Sequence, residues 1–355
     1  MSEKVLMKGN EAIAEAAILA GCHHYFGYPI TPQTEVAAYM AKRMPKIGGT
    51  FLQAESEVSA INMVIGVAST GKRVMTSSSS PGVSLKAEGI SYLAGCDLPA
   101  VVVNVQRGGP GLGGIQPSQS DYFQSVKGGG HGDYHNIVLA PASVQEMASL
   151  TFKAFDLADK YSMVSMILAD GTMGQMMEPV SLDAGEVNTY EKPWALTGTN
   201  CERKHNIVNS LYLKPEALEQ KNFERYEKYK QIEENEVMYE EYLMDDAEIC
   251  VVSFGITARV AKNAINEARA KGVKVGMIRP ITLWPFPKKV LNEAADKCKA
   301  FISVEMSMGQ MIEDIELAIR CKKPVYLCNR VGGMIPTPEE VLAKIDEVNE
   351  NGGAF

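Results

Sequence analysis

The chain has 355 residues, of which 46% are hydrophobic and 22% charged, and its formal net charge is -8. This length exceeds what one core of ordinary size needs and predicts two domains, and the composition excludes collagen-like, disordered and membrane-embedded classes. The acidic balance leaves no basic surface for a phosphate backbone, so we expect no nucleic-acid partner.

The sequence carries no sign of export or membrane insertion. The first nine residues lack a long apolar core, and no stretch approaches 18 uninterrupted apolar residues. The seven cysteines are scattered and never form Cys-x-x-Cys, which argues against a disulfide framework, a zinc site or an iron–sulfur site. We therefore expect free thiols in a reducing compartment, the cytoplasm.

Strand and helix patterns alternate through the first half of the chain. Residues 10–20 have helical spacing, and a short strand then runs into Tyr28 and Pro29. Further strands are predicted at Val74–Thr76, Ala100–Val105, Ile137–Leu139 and Met163–Leu168, with helices at 33–43, 56–69, 82–94 and 143–160. This alternation predicts a parallel sheet with covered faces.

The pattern breaks between residues 182 and 247. The stretch 215–243 is highly charged, with Phe223, Tyr226, Tyr229 and Ile232 at intervals of three. That spacing predicts an amphipathic helix, which is either a solvated connecting arm or a specific binding helix.

A second, smaller α/β unit is predicted after this break. Its strands are Ile249–Phe254, Val273–Ile278, Phe301–Val304 and Pro324–Leu327, and its helices are 257–270, 288–299, 309–320 and 337–348. The predicted division is 1–181, a connecting segment 182–247, and 248–355.

Two glycine-rich segments match nucleotide-binding patterns, but their contexts are wrong. Residues 66–72 resemble a P-loop, but Arg73 stands where a magnesium-binding Ser or Thr is required. Residues 109–114 match a dinucleotide fingerprint, but the following Ile115-Gln116-Pro117 cannot open the helix that would receive a pyrophosphate.

A different set of segments carries a family resemblance. Their order and residues are Gly-Tyr-Pro-Ile-Thr-Pro at 27–32, Gln-Ala-Glu-Ser-Glu at 53–57, Thr-Ser-Ser-Ser-Ser-Pro-Gly at 76–82, Val-Gln-Arg-Gly-Gly-Pro-Gly at 105–111 and His-Gly-Asp-Tyr-His at 131–135. Together they resemble the alpha subunit of the 2-oxoacid:ferredoxin oxidoreductases. The resemblance implies a thiamine diphosphate pyrimidine-binding (PYR) fold with a parallel sheet, followed by a smaller transketolase C-terminal-like α/β domain.

Glu57 is the main candidate for catalysis. On a helix beginning near Ser56 it shares a face with Ala60, Ile61, Val64 and Ile65, so its carboxylate points towards buried surface, whereas Glu55 points elsewhere. The resemblance implies that Glu57 bonds a pyrimidine ring nitrogen of thiamine diphosphate and promotes proton removal from the thiazolium carbon. The alternative is that both acids only complement the positive end of a helix.

The remaining candidate site residues follow predicted strands. Arg107 suits two parallel hydrogen bonds to the carboxylate of a 2-oxoacid, with a structural salt bridge as the alternative. Thr31 is predicted to be catalytic and to bind the cofactor, and a loop-capping role is the alternative. Further cofactor contacts are expected from Tyr28, Pro29, Ser79 and Ser80. His131 and His135 lie in a glycine-rich loop that we expect to close near the substrate, and the sequence does not favour one over the other.

No metal site is expected in this chain, since it contains no Gly-Asp-Gly segment of the kind that holds the diphosphate and its magnesium in thiamine enzymes. Asp170-Gly171 is interpreted as a strand-end turn. The resemblance therefore implies partners: a beta subunit that binds the diphosphate and Mg²⁺, gamma and iron–sulfur subunits, and ferredoxin. We expect a hetero-oligomer, with a dimer of the whole set as one arrangement.

The predicted reaction is oxidative decarboxylation of a 2-oxoacid with coenzyme A and reduction of ferredoxin. The segment 108–119 resembles the branched-chain (3-methyl-2-oxobutanoate) enzymes of the family more than the 2-oxoglutarate enzymes, and the resemblance therefore implies a branched-chain substrate, with 2-oxoglutarate as the alternative. Two other hypotheses are the beta subunit of a lipoamide-linked dehydrogenase and a non-catalytic assembly subunit.

Overall fold

The computed structural model describes residues 4–183 and 187–351. In these two ranges no helix combines the length and apolar character needed to cross a bilayer. A small antiparallel pair joins strand β1 (Val5–Lys8) to β8 (Met177–Val180) beside the first of two larger sheets.

The first large sheet has seven strands in the order β12-β6-β7-β5-β4-β2-β3. They are β2 (His24–Gly27), β3 (Thr50–Gln53), β4 (Val74–Ser78), β5 (Ala100–Gln106), β6 (Ile137–Leu139), β7 (Val164–Asp170) and β12 (Thr282–Trp284). All neighbours are parallel except β12, which runs antiparallel to β6. The central strands β4, β5 and β7 are buried along their whole length, as expected for a parallel sheet covered on both faces.

Helices cover this sheet: α1 (Gly9–Leu19), α2 (Thr34–Arg43), α3 (Glu57–Ser69), α4 (Ser80–Gly95), α5 (Tyr122–Val126), α6 (Val144–Tyr161) and α7 (Gly171–Gln175). A 3-10 turn, Met44–Ile47, follows α2. Ser56 and Ser143 cap α3 and α6, each accepting the backbone N–H three residues on. The parallel sheet and its four predicted helices are confirmed, with ends that differ by at most two residues.

The connecting segment contains α8 (Pro215–Asn235), which buries Tyr229 and Ile232 but leaves Phe223 61% exposed. The prediction that this helix continues to residue 243 is wrong. Residues Tyr239–Tyr242 instead form β9, which pairs antiparallel with β11 (Val275–Pro280). Pairing with a strand more than 30 residues away overrides the local helical pattern here.

The second large sheet has the order β14-β13-β10-β11-β9. Its other strands are β10 (Ile249–Ser253), β13 (Ala300–Glu305) and β14 (Val325–Asn329), and its helices are α9 (Gly255–Ala270), α10 (Lys288–Ala295), α11 (Met311–Ala318) and α12 (Pro338–Glu350). The predicted second α/β unit is confirmed. The division at 181 and 247 stays a prediction. Strand β12 lies within the range 248–355 yet completes the first sheet.

Gln119 joins the two large sheets at a buried contact. Its side chain donates to the Phe254 carbonyl at 2.8 Å and accepts the Met306 N–H at 2.9 Å, and its own N–H donates to the Met306 carbonyl at 3.0 Å. Asp170 lies at the same junction, where it accepts the N–H groups of Thr172 and Met173 at the start of α7 and that of Ile256 in α9. Backbone groups of both α/β units therefore bond to these two side chains.

Burial without a nearby cation raises the pKa of Asp170 to about 6, although its backbone hydrogen bonds act in the opposite direction. Because the folded chain holds this proton more tightly than the unfolded chain, Asp170 contributes stability that is present below about pH 4 and is lost as pH rises through 6.

We predict that Asp170→Asn removes this pH-dependent contribution, which corresponds to roughly 3 kcal/mol between pH 4 and pH 7. The check is the urea-unfolding midpoint of both proteins at several pH values. The difference between them should change across this range in favour of the variant at higher pH. A difference that stays constant with pH would contradict the assignment.

Candidate functional site

The sequence motifs lie at the carboxyl-terminal edge of the first sheet. Strand β2 lies between β3 and β4, so consecutive connections leave β2 and β4 in opposite directions. Loops that diverge in this way leave a crevice beyond the strand ends, which is where open parallel sheets bind ligands. The segments that follow β2, β3, β4 and β5 all reach this edge.

Glu57 is buried at the start of α3, with 5% of its surface exposed. It shares that buried face with Ala60, Ile61 and Val64, in agreement with the helical spacing. Glu55 is exposed and accepts a hydrogen bond from the Ser59 hydroxyl. The two acids therefore lie in different environments, and only Glu57 faces the interior.

The Glu57 carboxylate lies against Gly82 of α4. A Cβ atom at position 82 would come within 2.5 Å of Glu57 Oε1 and closer still to Ser78 Oγ. Glycine is required here because the space that a side chain would fill is taken by these two polar groups. The hydroxyls of Ser78, beside the carboxylate, and of the following Ser79 are buried and have no hydrogen-bond partner in this chain.

Ser80 is placed differently from Ser79. Its hydroxyl donates to Asp121 at 2.6 Å and accepts the Arg107 N–H at 3.0 Å. Asp121 also accepts the side-chain amide of Asn104 at 2.9 Å. Burial raises the pKa of Asp121, while these two hydrogen bonds lower it. Ser80 thus fixes the start of the loop that carries Arg107.

Arg107 is 8% exposed, and its guanidinium donates to two backbone carbonyls, those of Thr31 at 3.0 Å and Leu112 at 3.3 Å. Its buried Nε atom has no partner. Neither of these contacts is the structural salt bridge that was the alternative for this residue. Through the Thr31 carbonyl, Arg107 links the loop after β5 to the loop after β2.

Tyr28, Pro29 and Thr31 are exposed on the loop after β2. Gln33 on the same loop is buried and donates to the Tyr28 carbonyl at 3.3 Å, which fixes the turn. The three candidate residues therefore lie at the open side of the crevice, and Glu57 lies at its buried side.

The loop between Arg107 and Asp121 folds back on itself, with the Gly108 N–H donating to the Gln116 carbonyl at 3.0 Å. Its end packs against the second unit, where Gln310 accepts the Phe123 N–H and donates to the Ser120 carbonyl, both at 2.8 Å. A cleft of about 410 Å³ lies between this loop and that unit, lined among others by Pro110, Asp121 and Met308.

The two histidines lie on other elements. His135 stacks on Trp284 at 4.7 Å between ring centroids and also contacts Tyr229, and burial lowers its pKa. His131 contacts Tyr92 of α4 edge-to-face. These aromatic contacts do not include Glu57 or Arg107. In the described ranges no three His, Cys, Asp or Glu side chains are grouped so as to hold a metal ion.

The sequence reasoning missed Asp121, Gln119 and Lys86. Lys86 is fully buried in α4 between β4 and α3. A signal for it was available, because Lys86 occupies a position in the apolar stripe formed by Val83, Ile90 and Leu93. Asp121 and Gln119 act through contacts between loops, for which local sequence carries no comparable signal.

Comparisons with known proteins identify the family of the chain. Residues 15–242 match the family described as pyruvate flavodoxin/ferredoxin oxidoreductase, thiamine diphosphate-binding, and residues 247–341 match pyruvate:ferredoxin oxidoreductase core domain II. The ketoisovalerate oxidoreductase subunit VorB of Methanothermobacter thermautotrophicus is 54% identical over 97% of both chains. The 2-oxoglutarate synthase subunit KorA of Methanocaldococcus jannaschii is 37% identical over 94% of this chain and 97% of that one.

Among solved structures, the 2-oxoglutarate:ferredoxin oxidoreductase of Magnetococcus marinus, with 2-oxoglutarate, coenzyme A and succinyl-CoA bound, has a TM-score of 0.87 and 28% identity. The match covers 98% of this chain and 65% of that one. A split-gene transketolase shares the fold alone, with a TM-score of 0.59 and 12% identity. By these matches the chain belongs to the thiamine diphosphate-dependent 2-oxoacid:ferredoxin oxidoreductase family and corresponds to its alpha subunit.

Proposed function

We propose that this chain holds the pyrimidine end of thiamine diphosphate, through Glu57, in an assembled ketoisovalerate:ferredoxin oxidoreductase. The observation that carries the proposal is the buried Glu57 carboxylate at the crevice of the first sheet, with the unpartnered Ser78 hydroxyl beside it. A carboxylate in this position can exchange a proton with a ring nitrogen, and the hydroxyls of Ser78 and Ser79 can satisfy polar groups of the same ring.

The residues of the crevice fit the aminopyrimidine half of the cofactor. Buried polar atoms without partners are rare in native proteins, and the unpartnered Ser78 hydroxyl lies beside Gly82 together with the Glu57 carboxylate. Tyr28, Pro29 and Thr31 would form the open side of the pocket, which a partner subunit can cover. The diphosphate and Mg²⁺ are assigned to the beta subunit of the complex.

Thiamine diphosphate, when bound, supplies the carbon nucleophile that attacks the 2-oxoacid and stabilises the charge left after decarboxylation. Glu57 holds and moves a proton at the pyrimidine ring. Arg107, already fixed by the Thr31 and Leu112 carbonyls, still has its buried Nε free to bind the substrate carboxylate. Thr31 orients Arg107 through its backbone carbonyl.

The substrate assignment rests on similarity. This chain is 54% identical to a ketoisovalerate oxidoreductase subunit and 37% identical to a 2-oxoglutarate synthase subunit, with near-complete coverage in both cases. We therefore assign 3-methyl-2-oxobutanoate as the preferred substrate. Per turnover, one 2-oxoacid, one coenzyme A and two oxidised ferredoxins give one acyl-CoA, carbon dioxide, two reduced ferredoxins and one proton.

The complex also requires groups that this chain is not expected to hold. Iron–sulfur clusters on partner subunits would carry the two electrons from the site to ferredoxin. The seven cysteines of this chain are all free thiols, which suits a reducing compartment, and we place the complex in the cytoplasm.

We predict that the complex purified with its native partners reduces ferredoxin or a viologen dye fastest with 3-methyl-2-oxobutanoate. The measurement is kcat/KM across a panel that includes pyruvate, 2-oxoglutarate and branched-chain 2-oxoacids, each with coenzyme A. A preference for 2-oxoglutarate would overturn the substrate assignment. Absence of dye reduction with every 2-oxoacid would overturn the proposed activity.

Glu57→Gln should lower turnover by about a hundredfold or more, because glutamine keeps the size of the side chain but cannot exchange a proton with the ring. Hydrogen–deuterium exchange at the thiazolium carbon in the reconstituted complex measures the step directly. Glu55→Gln is the matched control, since Glu55 is exposed two residues away. Normal exchange in Glu57→Gln, or a larger defect in Glu55→Gln, would show that the catalytic acid is assigned wrongly.

Arg107→Lys should raise KM for the 2-oxoacid about tenfold or more and leave thiamine diphosphate affinity unchanged, because lysine cannot form two parallel bonds to a carboxylate. Steady-state kinetics and calorimetry give the two quantities. Arg43→Lys is the control, because Arg43 binds Glu15 with two hydrogen bonds away from the crevice. Unchanged KM in Arg107→Lys would remove this residue from the substrate site.

A further inference from the structure

Lys86 is a fully buried lysine on α4 that the proposed mechanism does not use. Its Nζ atom donates to Thr76 Oγ1 at 2.6 Å and to the Ser77 carbonyl at 2.9 Å, both on β4. Lysine is among the residues least often buried completely, because its charged form loses the stabilisation of water. Two neutral oxygens satisfy its hydrogen bonds in part but provide no opposite charge.

The opposite charge near Lys86 is Glu57. Gly82 and Gly89 lie four residues before and three residues after Lys86, on the same face of α4, and both meet α3. Position 82 adjoins the Glu57 carboxylate, and a Cβ at position 89 would lie 2.5 Å from Ile61. Lys86 therefore lies on the helix face that packs against α3, one turn from Gly82 and the carboxylate.

The charges around Lys86 can be followed element by element. On β4, Thr76 and Ser77 are neutral, and on β2 the buried phenol of Tyr25 bonds Ser77 and keeps its proton because burial raises its pKa. On α3, the titratable group near Lys86 is the Glu57 carboxyl group. Burial lowers the pKa of Lys86 to about 7, and within the described residues Glu57 is the one charged group that acts on it, in the raising direction.

We propose that Lys86 is a positioning residue that holds the Glu57 carboxylate in its ionised form for the pyrimidine ring. The inference rests on the proposed role of Glu57. A buried carboxyl group in an apolar surrounding favours its neutral form, whereas a cation about one helical turn away favours the ionised form. An ionised carboxylate can accept a hydrogen bond from a protonated ring nitrogen, and a neutral one loses much of this ability.

The variant that separates a charge effect from a packing effect is Lys86→Met, which keeps an unbranched chain of similar length. Ile90→Val is the matched control, since it lies one turn further on the same buried face of α4. Thiazolium hydrogen–deuterium exchange is measured against pH in the reconstituted complex. We expect the acidic limb of the Lys86→Met profile, the pH range in which exchange falls as the solution becomes more acidic, to move to higher pH, with no movement for Ile90→Val.

A second measurement needs neither cofactor nor partners. The folded chain releases the Lys86 proton more readily than the unfolded chain, so Lys86 should make the fold more stable as pH rises from about 7 towards 10.5. Melting temperatures of the chain across this range should lose that rise in Lys86→Met. In Glu57→Gln the rise should begin at lower pH, because the anion that favours charged Lys86 is gone.

The outcomes distinguish this inference from the proposed function. If hydrogen–deuterium exchange at the thiazolium carbon is normal in Glu57→Gln, the proposed role of Glu57 is wrong, and this inference is wrong with it. If exchange is lost in Glu57→Gln but the acidic limb of the pH profile in Lys86→Met lies at the same pH as in the unchanged protein, only the role of Lys86 is overturned. If Lys86→Met does not fold, Thr76→Val is used in its place. This change removes one hydrogen bond of Lys86 Nζ, so it should move the acidic limb of the pH profile in the same direction as Lys86→Met but by a smaller amount. An unmoved limb in Thr76→Val would then overturn the inference.

Discussion

The close contact between α3 and α4 is the constraint on which the crevice depends. Gly82 and Gly89 let the two helices approach so that a carboxylate and a lysine are enclosed between them and the sheet. Enclosing one charge alone would be unfavourable by several kcal/mol, and enclosing two of opposite sign reduces that cost. A side chain at either glycine would separate the helices, admit water and weaken the electrostatic influence of each charge on the other.

The second sheet determines the shape of the site although it contributes none of the predicted catalytic residues. On the loop that follows Arg107, Gln119 bonds the Phe254 and Met306 backbone of the second unit, and Gln310 of that unit donates to the Ser120 carbonyl of the loop. The Ser80 hydroxyl bonds both the Arg107 N–H and the Asp121 carboxylate and so fixes the two ends of that loop, while two backbone carbonyls hold the guanidinium of Arg107. Such support from neighbouring groups is what keeps a substrate-binding side chain in one orientation before substrate arrives.

Much of this arrangement could be predicted from the sequence, and the reasons for success and failure are physical. The interior position of Glu57 follows from helical spacing, and the order of strands and helices follows from apolar runs separated by turns. The helix expected to reach residue 243 ends at Asn235, because β9 pairs with β11, and such pairing leaves no local signal. Ser80 is a second case without a local signal. Its sequence context groups it with Ser79, but its hydroxyl donates a hydrogen bond to Asp121, 41 residues away.

Strand β12 has a consequence for how the molecule is assembled. It pairs through Thr282 and Trp284 with Leu139 and Val138 at the edge of the first sheet, so that sheet is completed by a segment synthesised more than 100 residues later. A fragment that ended at residue 247 would expose the backbone of β6, and unpaired strand edges promote association with other chains. The first sheet can therefore be completed only after residue 284 has been translated, which makes its folding dependent on the second half of the chain.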